Sequence, residues 1–404
     1  MLSVSTLLFA CSKQPVGLEQ GVWRAVLKTK SAAEIPFNFS VIDSAGKTYL
    51  DIINGSERFR VDEITFREDS VLIQMPLFDS EIKAVLKNGR LYGDWIKHLP
   101  NQDATMPFVA QPNTEWRFFN TKLEPKFNAS GKWSTTFIAE DGSDTTLAVG
   151  EFEQTGSRVT GTFLTATGDY RFLEGTVSGN KFYLSCFDGT HAYLFTGEFS
   201  DANTISNGKF YSGYSGLETW TAKRDDHAML PDAYSLTALK PGYDKISFSF
   251  PNLAGEKVSL SDSKFKNKVV VIQFFGSWCP NCMDETAYLS PFYKKYKDLG
   301  VEVVGLAYER TTDFNKSRKN VQRLRDRFDV TYEMLITGST NDKEEVAKTL
   351  PMLNTFVAFP TTMILDKSGK VRRIHTGFTG PGTGDHYIKF VEEFERTIES
   401  LLNE

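Results

Sequence analysis

The sequence predicts two architectures in series: an N-terminal all-β region built as a duplicated antiparallel meander (barrel or sandwich), followed by a C-terminal α/β region. Three observations carry this. Between Gly21 and Arg224, short runs alternate apolar and polar residues and are separated by turn formers, the pattern of half-buried antiparallel strands. Two blocks within that stretch resemble each other. From about Tyr243 the period changes, and near-continuous apolar runs alternate with helical segments, as buried parallel strands with crossover helices require.

The first block, residues 21–123, carries alternating runs at Lys47–Ile53, Val71–Met75, Ile82–Leu86 and Arg90–Ile96. The second, residues 131–224, shows candidate strands at Trp133–Ile138, Thr146–Glu153, Val159–Leu164, Tyr170–Val177, Lys181–Cys186, Ala192–Phe199, Lys209–Ser212 and Glu218–Ala222. Both blocks open with Gly-x-Trp (Gly21-Val22-Trp23 and Gly131-Lys132-Trp133). Midway, Leu77-Phe78-Asp79-Ser80 matches Cys186-Phe187-Asp188-Gly189, and later Gly89–Gly93 matches Gly208–Gly213. A tandem repeat of roughly eight strands follows; its Gly-x-Trp start resembles lipocalin- and avidin-like barrels. Residues 225–242 are the expected linker into a third unit, 243–404. There, Val269–Phe275 reads as a buried strand, Asp284–Asp298 as a helix and Val301–Ala307 as a strand. Asn315–Phe328 reads as a helix, Met334–Thr337 as a strand and Asp342–Thr349 as a helix. A hairpin of Thr361–Leu365 with Val371–His375 and a final amphipathic helix, Asp385–Leu402, complete the chain.

Composition narrows the function. The 404 residues are 40% hydrophobic and 24% charged, with 30 glycines and 15 prolines, which is globular and excludes collagen-like or low-complexity chains. A net charge of −5 without a long basic stretch argues against nucleic acid as the main partner. Four cysteines in this length do not make a disulfide scaffold. Leu2–Ala10 is apolar but too short to span a bilayer as a helix. With Cys11 and the polar Ser12-Lys13-Gln14 behind it, it resembles the lipobox of bacterial lipoproteins. That resemblance implies a signal peptide over residues 1–11, lipidation of Cys11 and a membrane-anchored periplasmic protein.

The chemistry concentrates in Trp278-Cys279-Pro280-Asn281-Cys282, directly after the buried strand and opening a helix. Cysteines at i and i+3 can close a disulfide within one turn, and a helix N-terminus stabilises a thiolate on the first of them. Cys282, one turn deeper, would be the resolving thiol. Pro280 lacks an amide hydrogen and suits the first helical turn.

These residues resemble the thioredoxin superfamily, and within it the TlpA-like thiol-disulfide oxidoreductases with their AhpC/TSA-Redoxin-like relatives. The match runs over about residues 243–404. It includes Phe250–Gly255, Val258–Asp262, the C-x-x-C segment and, 78 residues after Cys282, Phe359-Pro360-Thr361. The resemblance implies a thioredoxin fold in which Pro360 is the cis-proline lying against the disulfide. It further implies that Phe359 offers its backbone to the substrate chain, with Trp278 and Pro280 beside it. Thioredoxin's buried Asp is replaced by Gln273. The TlpA-like Glu three residues after the second cysteine is present as Glu285, either a proton acceptor for Cys282 or a solvent-facing charge favoured by the helix dipole. Client proteins with disulfides, an upstream membrane thiol-disulfide donor and a reducing direction are implied, with no cofactor. The periplasmic client chemistry of this family suits the lipobox reading.

Competing readings have weaker support. Zinc would need two further ligands, and Cys186, His375 and His386 show no ligand spacing. A c-type haem would need His where Met283 stands, and a peroxidatic cysteine would have Thr or Ser at Gly276. Cys186 reads as a small buried hydrophobe and the aromatics of the β blocks as core. From a different functional class comes the alternative that the β blocks are a ligand- or partner-binding module and the redox domain its accessory.

Overall fold

The computed structural model describes residues 17–404. The proposed lipidation site, Cys11, and the apolar stretch before it lie outside the described residues. Nine strands form the first sheet: β1 (Gly21–Lys28), β2 (Glu34–Ser44), β3 (Lys47–Asn54), β4 (Glu57–Val61), β5 (Glu63–Arg67), β6 (Ser70–Gln74), β7 (Ser80–Lys87), β8 (Arg90–Lys97) and β9 (Ala104–Pro112). They lie in the order β4-β3-β2-β1-β9-β8-β7-β6-β5. Its two edges, β4 and β5, are sequence neighbours broken at Asp62, so the sheet curls round almost to its own beginning.

The second sheet comprises β10 (Gly131–Ala139), β11 (Thr145–Thr155), β12 (Arg158–Thr165), β13 (Gly168–Asp169), β14 (Leu173–Ser178), β15 (Lys181–Phe187), β16 (Ala192–Asp201), β17 (Thr204–Ser212) and β18 (Gly216–Arg224). Here β11 pairs with β12 over eight residues, from Ala148↔Thr165 to Thr155↔Arg158, and β10 pairs with β18. The ring closes, which decides for a barrel and removes the sheet edges. Its interior is filled by Trp133, Phe137, Phe163, Phe182, Phe195 and Trp220, all at most 1% exposed. Phe195 and Phe210 stack at 4.3 Å. These aromatics are packed core.

The repeat is visible at atomic detail. Gly21 and Gly131 share φ of 112°, and the following Trp23 and Trp133 each donate an indole N–H 2.8 Å to the carbonyl four residues back. Leu77–Ser80 leads into β7 and Cys186–Gly189 leads out of β15, at corresponding turns of the two repeats, and they touch. The Ser80 hydroxyl donates to the Gly189 carbonyl. The late glycine match holds only in part. β8 and β17 are both next to last, but Gly89 precedes its strand whereas Gly208 sits at a bulge within β17.

Two expected elements differ. The candidate strand Tyr170–Val177 begins only at Leu173, because Arg171 takes φ of 57° and turns its guanidinium out of the barrel toward carboxylates of other elements. The helix expected from Asp284 starts a turn earlier, at Pro280, where Cys279 serves as its N-cap.

The C-terminal region begins with a short hairpin, β19 (Ser249–Pro251) and β20 (Lys257–Ser259). A five-stranded sheet follows: β21 (Val269–Phe275), β22 (Val301–Glu309), β23 (Glu333–Thr340), β24 (Thr361–Leu365) and β25 (Val371–Thr376), ordered β23-β22-β21-β24-β25. β21, β22 and β23 run parallel; β24 and β25 run antiparallel to their neighbours. Helices α1 (Pro280–Tyr296), α2 (Phe314–Arg327), α3 (Lys343–Thr349) and α4 (Asp385–Asn403) accompany it, giving the thioredoxin fold. No helix of the described residues is long and apolar enough to cross a membrane.

Candidate active site

β21 is buried at every position, so it is a rigid central strand, and the chain leaves it through Gly276-Ser277-Trp278. A side chain at Gly276 would collide with the Trp278 ring, so glycine is needed for the indole to fold back. Trp278 Nε1 donates 2.9 Å to the Tyr308 carbonyl. Its ring meets Phe359 edge-on at 5.6 Å and carries the Arg310 guanidinium 5.1 Å above it. Ser277 is fixed through its amide and hydroxyl, both 2.8 Å from the Glu309 carboxylate.

Cys279 and Cys282 are joined as a disulfide, with Cα atoms 5.2 Å apart. Cys279 has extended backbone, and its sulfur accepts the Cys282 amide at 3.2 Å. An amide and the positive end of α1 thus point at the sulfur that would carry negative charge when reduced. Cys279 is 6% exposed and Cys282 fully buried, so attack from outside is channelled to Cys279. Pro280 occupies the first helical turn. Across the site, the Phe359–Pro360 bond is cis and the Phe359 carbonyl lies 3.8 Å from Cys279 Sγ.

Glu285 is 1% exposed, which excludes the solvent-facing reading. Its carboxylate accepts Gln273 Nε2 at 2.9 Å and the Thr362 hydroxyl at 2.6 Å. Burial pushes its carboxyl up to about 7, against the opposing pull of those two donors. Gln273 does not replace a proton carrier; it grips one, and Tyr332 donates to its other end at 3.4 Å. Glu285 and Cys282 lie three residues apart on α1, on one face of the helix.

Sequence reasoning missed the seam between this helix and the second barrel. Asn281 Nδ2 donates 3.2 Å to the Asp169 carbonyl, and Asp284 takes Arg171 through Nε at 2.8 Å and Nη2 at 3.0 Å. The same guanidinium reaches Glu57 at 2.7 Å and Asp188 at 3.3 Å. Asp169, pushed up to about 6 by burial, accepts the Gly380 amide at 2.8 Å. These contacts span more than 100 residues of sequence; their only sequence trace is a Gly-Asp turn that reads as an ordinary loop. Cys186 stands apart, buried in the second barrel with its thiol pushed up by desolvation. His375 bonds the Gly377 carbonyl and His386 the Glu151 carboxylate, so the residues weighed for zinc do not converge.

Residues 241–374 match the AhpC/TSA family. The chain is 29% identical over 167 residues to the thioredoxin-like protein YneN of Bacillus subtilis, covering 41% of this chain and 82% of that one. To the thiol-disulfide oxidoreductase ResA of Geobacillus kaustophilus it is 28% identical over 167 residues, covering 41% and 80%. The ResA of Bacillus thuringiensis subsp. konkukian is 32% identical over 130 residues, covering 32% and 66%. Among solved structures, the thioredoxin domain of a thiol-disulfide oxidoreductase from Bacteroides vulgatus is 24% identical, with a TM-score of 0.28, covering 39% of this chain and 99% of that one. The C-terminal region of this chain is a thioredoxin-like thiol-disulfide oxidoreductase domain of AhpC/TSA type.

Proposed function

We propose that the protein is an extracytoplasmic reductant of disulfides in client proteins, working through Cys279 and Cys282. One observation carries this most: Cys279, the more accessible sulfur of the pair, caps the helix whose amide it accepts, beside the Phe359 carbonyl that precedes the cis-proline. In the dithiol form, the Cys279 thiolate attacks a client disulfide, forming a mixed disulfide and releasing one client thiolate. Cys282 loses its proton to Glu285 and attacks the Cys279 sulfur. The Cys279–Cys282 bond forms and the second client sulfur leaves. Two electrons and two protons pass to the client. A membrane dithiol donor of the same chemistry reverses the change in the protein. Trp278, Pro280, Phe359 and Pro360 form the surface on which the client chain lies.

The resemblance to TlpA-like proteins supports the reducing direction. The apolar Leu2–Ala10 stretch ahead of Cys11 supports a lipid anchor in the bacterial envelope. A redox titration of the full chain against glutathione tests the direction. A potential toward the thioredoxin end, about −270 mV, is expected, and one near −120 mV overturns it. Cys282→Ser, which stalls the second step, is expected to trap clients as mixed disulfides through Cys279; absence of any trapped species overturns the mechanism.

A further inference from the structure

A cleft of about 390 Å³ opens between the first sheet and the thioredoxin-fold region, with Trp278 in its wall. Five cationic side chains line it: Lys97 from the end of β8, Arg310 beyond β22, and Lys316, Lys319 and Arg323 from α2. None of the five is in an ion pair among the described residues, although the chain as a whole carries a net charge of −5. Two carboxylates reach the cleft, Asp79 and Glu309; both oxygens of Glu309 are already taken by Ser277. Lys97 Nζ finds only the Thr190 carbonyl, at 2.9 Å. Burial, and then repulsion from Arg310, push its ammonium down to about 8 against the pull of Asp188. The two units also touch elsewhere: Arg327 of α2 donates 3.2 Å to the Arg60 carbonyl of β4.

The position of this cleft ties it to the reaction. On one side of the dithiol, Asn281 and Asp284 are covered by the Asp169–Arg171 loop of the second barrel. On the other, Trp278, the residue before Cys279, carries Arg310 over its ring and forms the cleft wall. A client chain laid against Phe359 and Trp278 therefore has the basic cleft as its neighbour.

We propose that this cleft is a specificity subsite that takes an acidic segment of the client polypeptide flanking its disulfide. The inference rests on the oxidoreductase reading and names its substrate class. Carboxylates entering the cleft meet lysine and arginine donors without competing partners, so they form charge-assisted hydrogen bonds. The summed positive field also steers them in, an effect that weakens as salt screens it.

The test uses the full chain and a short disulfide-bonded peptide with a run of glutamates beside one cysteine, compared with its glutamine counterpart. The chain is first reduced with dithiothreitol and freed of it, and the readout is the ratio of the two second-order rate constants for single-turnover reduction. At low salt the glutamate peptide is expected to be reduced about tenfold faster, with the ratio falling toward one at high salt. The same collapse is expected at low salt in the triple variant Lys316→Gln, Lys319→Gln, Arg323→Gln, whatever its absolute rate. A ratio near one in the unaltered chain overturns the proposal, as does a preference that survives the triple substitution. An oligonucleotide that blocks both peptides while no glutamate preference exists overturns it in favour of a nucleic-acid site. Reduction of the glutamine peptide is the control for the underlying reading: if neither peptide is reduced, the oxidoreductase assignment itself fails.

Discussion

In the proposed mechanism Cys282 gives up a proton, and the residue proposed to take it is Glu285, buried and held at about 7. Glu285→Gln is expected to slow client reduction at neutral pH by about a hundredfold, the lower end of general-base contributions. It should also remove the rise in rate through pH 7 expected of the unaltered chain; a pH–rate profile checks both. The same group shapes stability with the opposite sign. Its carboxyl rises from the ordinary 4.5 to about 7 on folding, so between those values the native state keeps a proton that the unfolded chain has lost. Stability is full below about pH 4.5 and declines as pH climbs through 7, by roughly 3 kcal/mol. Urea unfolding across that range is expected to show this decline and Glu285→Gln to lack it. Gln273→Leu removes a donor to the carboxylate and is expected to shift the rate inflection upward by on the order of one pH unit. A lower inflection would show that Gln273 does not hold the anion.

At the scale of elements, the first strand of each repeat does the same work. Trp23 and Trp133 are each 1% exposed or less and each satisfies its indole on a carbonyl four residues back. Truncating either leaves a large void, so Trp23→Ala and Trp133→Ala are each expected to cost about 3–5 kcal/mol in urea unfolding. A small loss for one alone would show that the two strands are not equivalent supports. Most elements were legible because their signals are local. The β-branched run of β21 and the Cys-Pro-Asn-Cys cap of α1 need no knowledge of the rest of the chain, and alternating patterns mark most barrel strands. Where the reading failed, a distant partner intervened. Tyr170-Arg171-Phe172 has strand character, but the guanidinium of Arg171 is drawn to Glu57, Asp188 and Asp284, and the backbone bends to deliver it.

For the whole molecule, that guanidinium joins three units: Glu57 lies in the first sheet, Asp188 in the second barrel and Asp284 on the active-site helix. Arg171→Met removes the guanidinium from three buried carboxylates, of which Asp188 keeps His191 at 3.2 Å, and is expected to cost about 3–5 kcal/mol, read from denaturant unfolding. A double-mutant cycle with Asp284→Leu is expected to recover part of that loss, because it removes one orphaned charge. Strict additivity would mean the two groups do not interact. Backbones also meet closely at this seam: a side chain at Gly377, whose φ is 80°, would strike the Thr167 carbonyl group of the second barrel.

By itself the sequence determined the order of architectures, the repeated meander, the dithiol at the head of a helix and the proline that faces it. Each of these depends on periodicity, turn chemistry or spacing within a short stretch of chain. Tertiary structure alone decided that the second sheet closes as a barrel, that Gln273 and Thr362 grip Glu285, and that the second barrel covers Asn281. It also decided that five cations without an ion pair among the described residues share a cleft with Trp278. Those facts depend on which distant groups are brought together and which are stripped of water. A charge or an amide acquires its role from its neighbours in space, and no local pattern encodes them.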